Sequence, residues 1–232
     1  MNILILGASS QIGRALAIRF SSGNALTLQG RNAESLRETE RLCSDAGAEA
    51  AETVESDLAD GRGALFEKLA GRQFDLVINV VSATSRVKDS DFEPARLEGY
   101  LMSDLLAPVR LVQRLAEQGP LKVILVSTVL ASVKSPDRML YGSLKALQEM
   151  CLDKLMAGGG RLLIVKVGKV VPHDRISGEP AKLAESVYVA HVRNRDILHY
   201  GISGRIYQLL FLVQPLLFNA IVRLQRLLRE RG

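Results

Sequence analysis

The stretch Asn2–Gly13, with the sequence NILILGASSQIG, decides the fold. Its first five residues, Asn2–Leu6, form a short and nearly all-apolar run, which is typical of a strand that is buried on both faces. The small residues that follow let the backbone turn sharply and approach a ligand, and a helical stretch begins at about Arg14. Because the N–H groups that open such a helix can bind a diphosphate, the stretch predicts a strand, a phosphate-binding turn and a helix.

Short apolar runs and helical stretches alternate along the rest of the chain. The further predicted strands are Ala25–Gln29, Ala50–Val54, Phe74–Val81, Lys122–Ser127, Arg161–Val167 and Ile197–Tyr200. The predicted helices are Arg14–Ser22, Glu34–Ala46, one that ends at about Gly71, Glu93–Leu101, Ser103–Glu117, Arg138–Met156 and Glu179–Arg193. This alternation predicts an α/β fold over 1–202, a single doubly wound, Rossmann-like parallel sheet with helices on both faces. A C-terminal helical extension is predicted over 203–232.

Composition places the chain among globular proteins. It has 232 residues, 47% of them hydrophobic, which is enough to bury a sizeable core in one domain. Cys43 and Cys151 lie far apart in the sequence and are typical of free thiols in a reducing compartment. Met1 leads directly into the first strand without a basic leader, so we expect a cytoplasmic protein. The three histidines lack metal-ligand spacing, so no metal site is predicted.

The positive charge is concentrated at the C terminus. Of the net charge of +5, the stretch from Arg205 onward contributes +4, because it holds five arginines and one glutamate. The rest of the chain carries only +1 and is therefore nearly neutral. A nucleic-acid partner is not expected for a body with so little net charge.

The segment 203–232 combines apolar residues at helical spacing with arginines on or near another face. Its most apolar part, Ile206–Val222, is interrupted by two glutamines, one asparagine and Pro215, so a transmembrane helix is not expected. One alternative is a helix that packs on the domain or at a dimer interface. The other alternative is peripheral membrane contact, with the apolar face in the headgroup region and the arginines on anionic lipid.

The stretch Tyr141-Gly142-Ser143-Leu144-Lys145 carries the candidate chemistry. Residues four apart lie on the same side of a helix, so Lys145 is expected beside Tyr141. A nearby positive charge favours the phenolate, and we therefore expect a lowered pKa for Tyr141. A tyrosine tuned in this way can give or take a proton near neutral pH. The alternative is a surface helix that holds this spacing by chance.

Arg31 follows the second predicted strand, where a dinucleotide fold faces the adenosine ribose. An acidic side chain at this place would hold the 2′-hydroxyl, but no Asp or Glu occurs between Gly23 and Ala33. A guanidinium binds a phosphate through paired hydrogen bonds, so Arg31 favours NADP(H) over NAD(H). The alternative is a solvated arginine at the start of a helix.

With these features in place, the chain resembles the short-chain dehydrogenase/reductase family over about residues 1–200. The resemblance is carried by Gly7-x-x-x-Gln11-Ile12-Gly13, Asp57-Leu58, Asn79, Ser127-Thr128 and Tyr141-x-x-x-Lys145, in that order and at that spacing. It implies that Tyr141 exchanges a proton with a substrate carbonyl or hydroxyl. It also implies that Lys145 lowers the pKa of the tyrosine and binds the nicotinamide ribose.

The resemblance also implies a set of cofactor contacts and a homo-oligomer. The residues expected to bind the cofactor are Gly7, Ser9, Ser10, Gln11, Ile12, Gly13, Arg31, Asp57, Leu58, Asn79, Lys145 and Val170. Among them, Asp57 is similar to the residue that contacts the adenine, Asn79 lines the cofactor near the sheet centre, and Val170 touches the nicotinamide carboxamide. Gln11 stands where the family usually has its middle glycine.

Two further candidate catalytic positions depart from the family pattern. Thr128 lies thirteen residues before Tyr141, the spacing of the usual serine, and Ser127 lies one residue off. Because adjacent strand residues point to opposite faces, only one of the two can reach the substrate; the spacing favours Thr128, with Ser127 as the alternative. Asp104 replaces a helix asparagine that supports a proton relay in the family, and a relay through water is expected from its carboxylate.

The function indicated is an NADP(H)-dependent oxidoreductase that interconverts a small-molecule carbonyl and a secondary alcohol. The alternative is a non-catalytic protein of the same fold that binds NADP(H) and acts as a sensor or scaffold, which the departures at Gln11 and Asp104 motivate. Retention of Tyr141 and Lys145 favours the enzyme, because a protein that only binds the cofactor does not need a proton-transfer pair.

Overall fold

The computed structural model of the chain describes residues 1–60, 64–69, 71–133, 135, 137–168, 178–201 and 206. The predicted contact of Val170 and the predicted helical extension over 203–232 lie outside these residues, apart from Ile206. Within the described ranges, no helix combines the length and the apolar character that crossing a bilayer requires.

The described strands form one parallel sheet. They are β1 Asn2–Leu6, β2 Ala25–Gly30, β3 Ala50–Glu55, β4 Leu76–Asn79, β5 Lys122–Thr128, β6 Arg161–Val167 and β7 Ile197–Tyr200. Their order in the sheet is β3-β2-β1-β4-β5-β6-β7. The chain winds outward in one direction from β1 and in the other from β4, which confirms the doubly wound fold. Such a reversal opens a crevice at the carboxyl ends of β1 and β4, where ligands bind in this architecture.

Helices cover both faces of the sheet. They are α1 Gln11–Arg19, α2 Ala33–Asp45, α3 Ala64–Lys68, α4 Leu97–Leu101, α5 Ala107–Ala116, α6 Met139–Met156 and α7 Gly178–Val192. Alternate residues of β1 enter two separate cores, because successive strand residues point to opposite faces. Ile3 and Ile5 pack with α1 and α7, whereas Leu4 and Leu6 pack with α5 and α6. Burial on both faces accounts for the apolar run that opens the chain.

The sequence-based prediction of two separate helices over Glu93–Leu101 and Ser103–Glu117 is wrong. A π-helical turn, Met102–Leu106, joins α4 to α5 without a break. Pro108 lies at the start of α5 and lacks an N–H, and its ring would clash with the carbonyl of Asp104 in a regular α-helix. The wider turn before the proline relieves this conflict, which is a common cause of a π-bulge.

The first helix begins at Gln11, three residues earlier than the sequence predicts. Ser10 is the residue that caps it, because its Oγ accepts a hydrogen bond from the Gly13 N–H at 3.0 Å and donates one to the Gly7 carbonyl at 2.8 Å. The turn therefore passes into the helix directly. The backbone of residues 11–13 thus forms the helix N-terminus at the carboxyl end of β1.

Candidate active site

Two glycines allow the first helix to approach the end of the first strand. Gly7 has a φ of +83°, a left-handed conformation that favours glycine, and its N–H donates to the Gln29 carbonyl at 3.0 Å. A Cβ on Gly13 would lie 2.2 Å from the Gly7 oxygen, so only glycine fits there. The helix N-terminus is consequently held against the turn at the carboxyl end of β1. This arrangement suits a diphosphate.

The other residues predicted for this turn lie around the same helix start. Gln11 and Ser10 are exposed, and Ser9 and Ile12 are partly buried. Ser9 lies against the end of β2, because a Cβ on Gly30 would be 2.7 Å from the Ser9 Oγ. Gln11 is the first residue of α1, so its side chain leaves the backbone N–H groups of the turn in place.

Arg31 and Asp57 face each other at the carboxyl ends of β2 and β3. The Arg31 Nη1 is 3.6 Å from the Asp57 Oδ2, and the arginine side chain is 67% exposed. The other oxygen of Asp57 accepts a hydrogen bond from the Ala59 N–H at 2.9 Å, and Leu58 is buried beneath it. The structure thus brings together the two residues that the sequence placed at the adenosine end. A bound 2′-phosphate would share the guanidinium with the Asp57 carboxylate.

Buried polar atoms without partners lie at the end of β4. Asn79 is fully buried, and its Oδ1 accepts a hydrogen bond from the Val81 N–H at 3.1 Å. Its Nδ2, and the Oγ of Ser82, have no hydrogen-bond partner among the described residues. Asn79 is paired in register with Leu6, the last residue of β1, so these atoms flank the crevice. Unpaired buried donors call for a ligand or water, and a dinucleotide between the two strand ends fits them.

Tyr141 lies in the first turn of α6, against the turn that follows β5. A Cβ on Gly142 would be 2.6 Å from the Leu130 carbonyl oxygen, so the lack of a side chain there sets the distance between helix and turn. The phenol of Tyr141 lies near the hydroxyl of Thr128, which lowers the pKa of the phenol against the effect of burial. Thr128 also accepts a hydrogen bond from the Leu130 N–H at 3.3 Å. Gly142 is a site residue that the sequence analysis did not single out.

Ser127 points away from this pair. Its hydroxyl donates to the carboxylate of Glu149 on α6, and the side chain is 1% exposed. Because neighbouring residues of β5 alternate in direction, the strand can present only one of the two hydroxyls to Tyr141. The structure presents Thr128, in agreement with its spacing in the sequence.

The predicted lowering of the Tyr141 pKa is wrong for this structure. Burial of the phenol raises its pKa, the Thr128 hydroxyl lowers it, the Asp104 carboxylate raises it and the Arg138 guanidinium lowers it, with a net rise. Lys145 is directed elsewhere: its ammonium donates to the Val81 carbonyl at 2.8 Å and to the Gln148 Oε1 at 3.1 Å. The phenol is therefore the stable form at neutral pH.

The pKa of Lys145 is also shifted from its ordinary value. It is 1% exposed, and burial lowers its pKa to about 8, although the carboxylates of Asp104 and Glu149 act in the opposite direction. A lysine with a pKa in this range exchanges protons close to physiological pH. Gln148, which holds it, is fully buried and leaves its Nε2 without a partner among the described residues.

Asp104 is fully buried within the π-helical turn, and donors surround its carboxylate. It accepts hydrogen bonds from the Ala83 N–H at 2.6 Å, the Thr84 N–H at 3.0 Å, the Thr84 hydroxyl at 2.5 Å and the Ser103 hydroxyl at 3.2 Å. Asp104 thus fixes the loop after β4 beside the crevice. Its role in a proton relay stays a prediction.

The burial of Lys145 predicts a particular pH dependence of stability. The folded protein holds this lysine at a pKa of about 8, against 10.5 for an unperturbed side chain, so between these values the unfolded chain binds more protons. The free energy of unfolding should therefore rise with pH in that window. Between about pH 7.5 and 9.5, we expect the free energy of unfolding of the wild type to rise by about 2 kcal/mol relative to that of the Lys145→Met variant.

Urea unfolding of the two ligand-free proteins at both pH values measures this difference. Lys154→Met, at an exposed position of the same helix, is the control and should show no such gain. A stability gap that stays constant with pH would show that the ammonium of Lys145 titrates normally.

Comparison with known proteins agrees with this geometry. Residues 3–167 match the model of the NAD dependent epimerase/dehydratase family. An uncharacterized oxidoreductase of Mycobacterium tuberculosis (strain H37Rv) is 28% identical over 197 residues, which cover 78% of each chain.

Solved structures share the fold. A short-chain dehydrogenase from Sphingobium yanoikuyae in complex with NADPH superposes with a TM-score of 0.74 at 20% identity, over 93% of this chain and 94% of that one. An angucycline C-6 ketoreductase with bound NADP has a TM-score of 0.70 at 20% identity, over 85% of this chain and 92% of that one. The resemblance to short-chain dehydrogenase/reductases is thus confirmed, and the chain is an enzyme. It belongs to the NAD dependent epimerase/dehydratase family.

Proposed function

We propose that the protein is an NADP(H)-dependent oxidoreductase that interconverts a small-molecule carbonyl and a secondary alcohol, with Tyr141 as the acid/base. The observation that carries the proposal is the proximity of the Tyr141 phenol to the Thr128 hydroxyl, which acts on its pKa, with Lys145 buried one turn away on α6. A bound nicotinamide supplies or accepts the hydride in such a reaction. The non-catalytic sensor is disfavoured, because the chain is an enzyme and keeps this proton-transfer set.

The two hydroxyls have complementary tasks in this proposal. The Thr128 hydroxyl lies near the Tyr141 phenol, so we expect both to donate to a single substrate oxygen. Because the pKa of Tyr141 is raised, the residue is protonated at neutral pH and is ready to donate to a carbonyl oxygen as charge develops there. Lys145, one turn away on α6, has a pKa of about 8 and can therefore exchange a proton near the same pH. These features favour carbonyl reduction at neutral pH.

Removing the phenolic hydroxyl tests the proposal. We expect Tyr141→Phe to lower carbonyl reduction by about 10²–10⁴-fold, because general acid catalysis contributes that much, while NADPH still binds. Turnover is followed by NADPH absorbance with a panel of ketones and aldehydes, and NADPH binding by fluorescence. Thr128→Ala should also lose activity, whereas Ser127→Ala, its matched neighbour, should lose far less. Equal turnover of wild type and Tyr141→Phe on every carbonyl would refute the acid/base role.

We infer a preference for NADP(H) from Arg31. The solved relatives reported above hold NADPH or NADP, and here the exposed guanidinium of Arg31 lies at the end of β2. Arg31→Ser should weaken NADPH binding by about 10- to 100-fold, because a charge-assisted hydrogen bond contributes about 1.5–3 kcal/mol. The affinity for NADH should stay unchanged.

Isothermal titration with both coenzymes measures this preference. Arg41→Ser, which removes an arginine from an exposed pair on α2, is the control. A parallel loss of NADPH and NADH affinity in Arg31→Ser would show that the residue does not select the phosphate.

We also propose that 203–232 makes peripheral membrane contact and that the protein is a homo-oligomer. The support for the membrane contact is the sequence, which places five arginines and a periodic apolar pattern in this segment. Co-sedimentation with anionic vesicles should be strong for the full chain and lost when the chain is truncated before Ser203. Equal co-sedimentation of the two proteins would refute the contact.

A further inference from the structure

Four polar side chains form a network between the ends of β5 and β6. The carboxylate of Glu149 accepts hydrogen bonds from the Ser127 hydroxyl and, at 2.7 Å, from the Lys166 ammonium. The same ammonium donates to the Ser132 hydroxyl at 2.7 Å. The side chains of Lys166 and Glu149 are only 11% and 12% exposed, so the ion pair is largely removed from water.

This network joins the elements that bring the candidate catalytic groups together. Glu149 lies on α6, two turns after Tyr141, and Ser127 directly precedes Thr128 in β5. Ser132 ends the turn Val129–Ser132, whose Leu130 carbonyl packs against Gly142. The helix and the strand end are thus tied together at two places, by the close contact at Gly142 and by the network.

The sequence offers no packing reason for these charges. Val165 and Val167 flank Lys166 in β6, and Leu152 lies one turn after Glu149 in α6, so an apolar pair would suit the same surroundings. Burying two charges costs several kcal/mol, and replacing a buried ion pair by hydrophobic residues is often neutral or stabilising. A geometric role therefore explains the pair better than a contribution to stability does.

We propose that Glu149 and Lys166 are positioning residues, which hold the turn Val129–Ser132 so that Thr128 meets Tyr141. Neither side chain touches the reacting groups: Ser127, to which Glu149 bonds, points away from the Thr128 side of β5. The inference rests on the proposed function, since it assigns the network to the alignment of that site. Small misplacements of this kind reduce rates strongly, by about 10²-fold for 1 Å.

The electrostatic surroundings of Lys145 support this placement. Glu149 lies one turn after Lys145 on the same helix, and its carboxylate raises the pKa of that lysine against the effect of burial. The network therefore acts on both the position of Thr128 and the charge of Lys145. His199, paired in register with Lys166 on β7, is a further titratable group near the pair; burial and Lys166 lower its pKa, whereas Glu149 raises it.

A double-mutant comparison separates positioning from plain stability. Glu149→Gln and Lys166→Met each leave one buried charge unpaired, whereas the double variant leaves none. We expect the melting temperature to fall in both single variants and to recover largely in the double variant. Turnover at a temperature far below melting should fall about 10-fold or more in all three, because none keeps the complete chain of contacts from Ser127 through Glu149 and Lys166 to Ser132. The Kd for NADPH should stay within about twofold of wild type.

Hydrogen exchange supplies a readout that does not need a substrate. In NADPH-bound protein, the amides of residues 129–133 should exchange faster in all three variants than in wild type. Glu185→Gln, which breaks a surface ion pair between α1 and α7, is the matched control and should change neither exchange in this turn nor turnover.

The outcomes distinguish this inference from the proposed function. Recovery of both melting temperature and turnover in the double variant would show that the pair only stabilises the fold and would overturn the inference. Unchanged exchange of residues 129–133 in all three variants would overturn it as well. A wild type without carbonyl turnover would refute the proposed function instead, and the exchange measurement would still decide whether the pair holds the turn.

Discussion

The close approach of α6 to the turn after β5 is the contact on which the candidate site depends. Gly142 lies so near the Leu130 carbonyl that a single added carbon would overlap with it. This contact sets the height of Tyr141 above the sheet and brings its phenol to the hydroxyl of Thr128. Gly13 plays the same part at the other half of the crevice, where it lets α1 lie against the end of β1. Both halves of the site thus rely on a residue without a side chain.

Two carboxylates act on the pKa values of the candidate catalytic groups. Lys145 is enclosed and would be neutral at moderately alkaline pH, but Asp104 and Glu149 partly restore its charge. Asp104 also opposes ionisation of Tyr141, which adds to the effect of burial. The two carboxylates are held in place by hydrogen bonds from backbone or hydroxyl groups, so they act at fixed positions. Fixed charges of this kind are preorganised, and they need no rearrangement when charge develops on a substrate.

Much of this arrangement could be predicted from the sequence. The strand and helix alternation fixed the sheet, because buried parallel strands are apolar on both faces and are easily recognised. Thr128 was favoured over Ser127 by spacing alone, and the structure presents Thr128. The π-helical turn was missed because it needs the combined geometry of Asp104 and Pro108, which hydrophobic periodicity does not report.

The raised pKa of Tyr141 and the ion pair between Glu149 and Lys166 could not be predicted from the sequence either. Both depend on burial and on contacts between residues that are distant in sequence. A signal for the pair was nonetheless present, since Gln148 and Glu149 interrupt an otherwise apolar stretch of α6. A polar residue on a helix face that packs against a sheet predicts a polar or charged partner on the facing strand. Here that partner is Lys166 on β6.

The side chains of Asn79 and Ser82, which lack partners in the part of the chain that the structure describes, have a consequence for the protein in a cell. Buried polar groups without partners lower the free energy of unfolding of the ligand-free protein. A bound dinucleotide that forms hydrogen bonds with them would raise it, because the ligand binds only the folded chain. Proteases remove chains in proportion to the fraction that is unfolded. Under the proposed function, a cell whose pool of coenzyme declines would therefore lose copies of this protein as well as its turnover, without any change in gene expression.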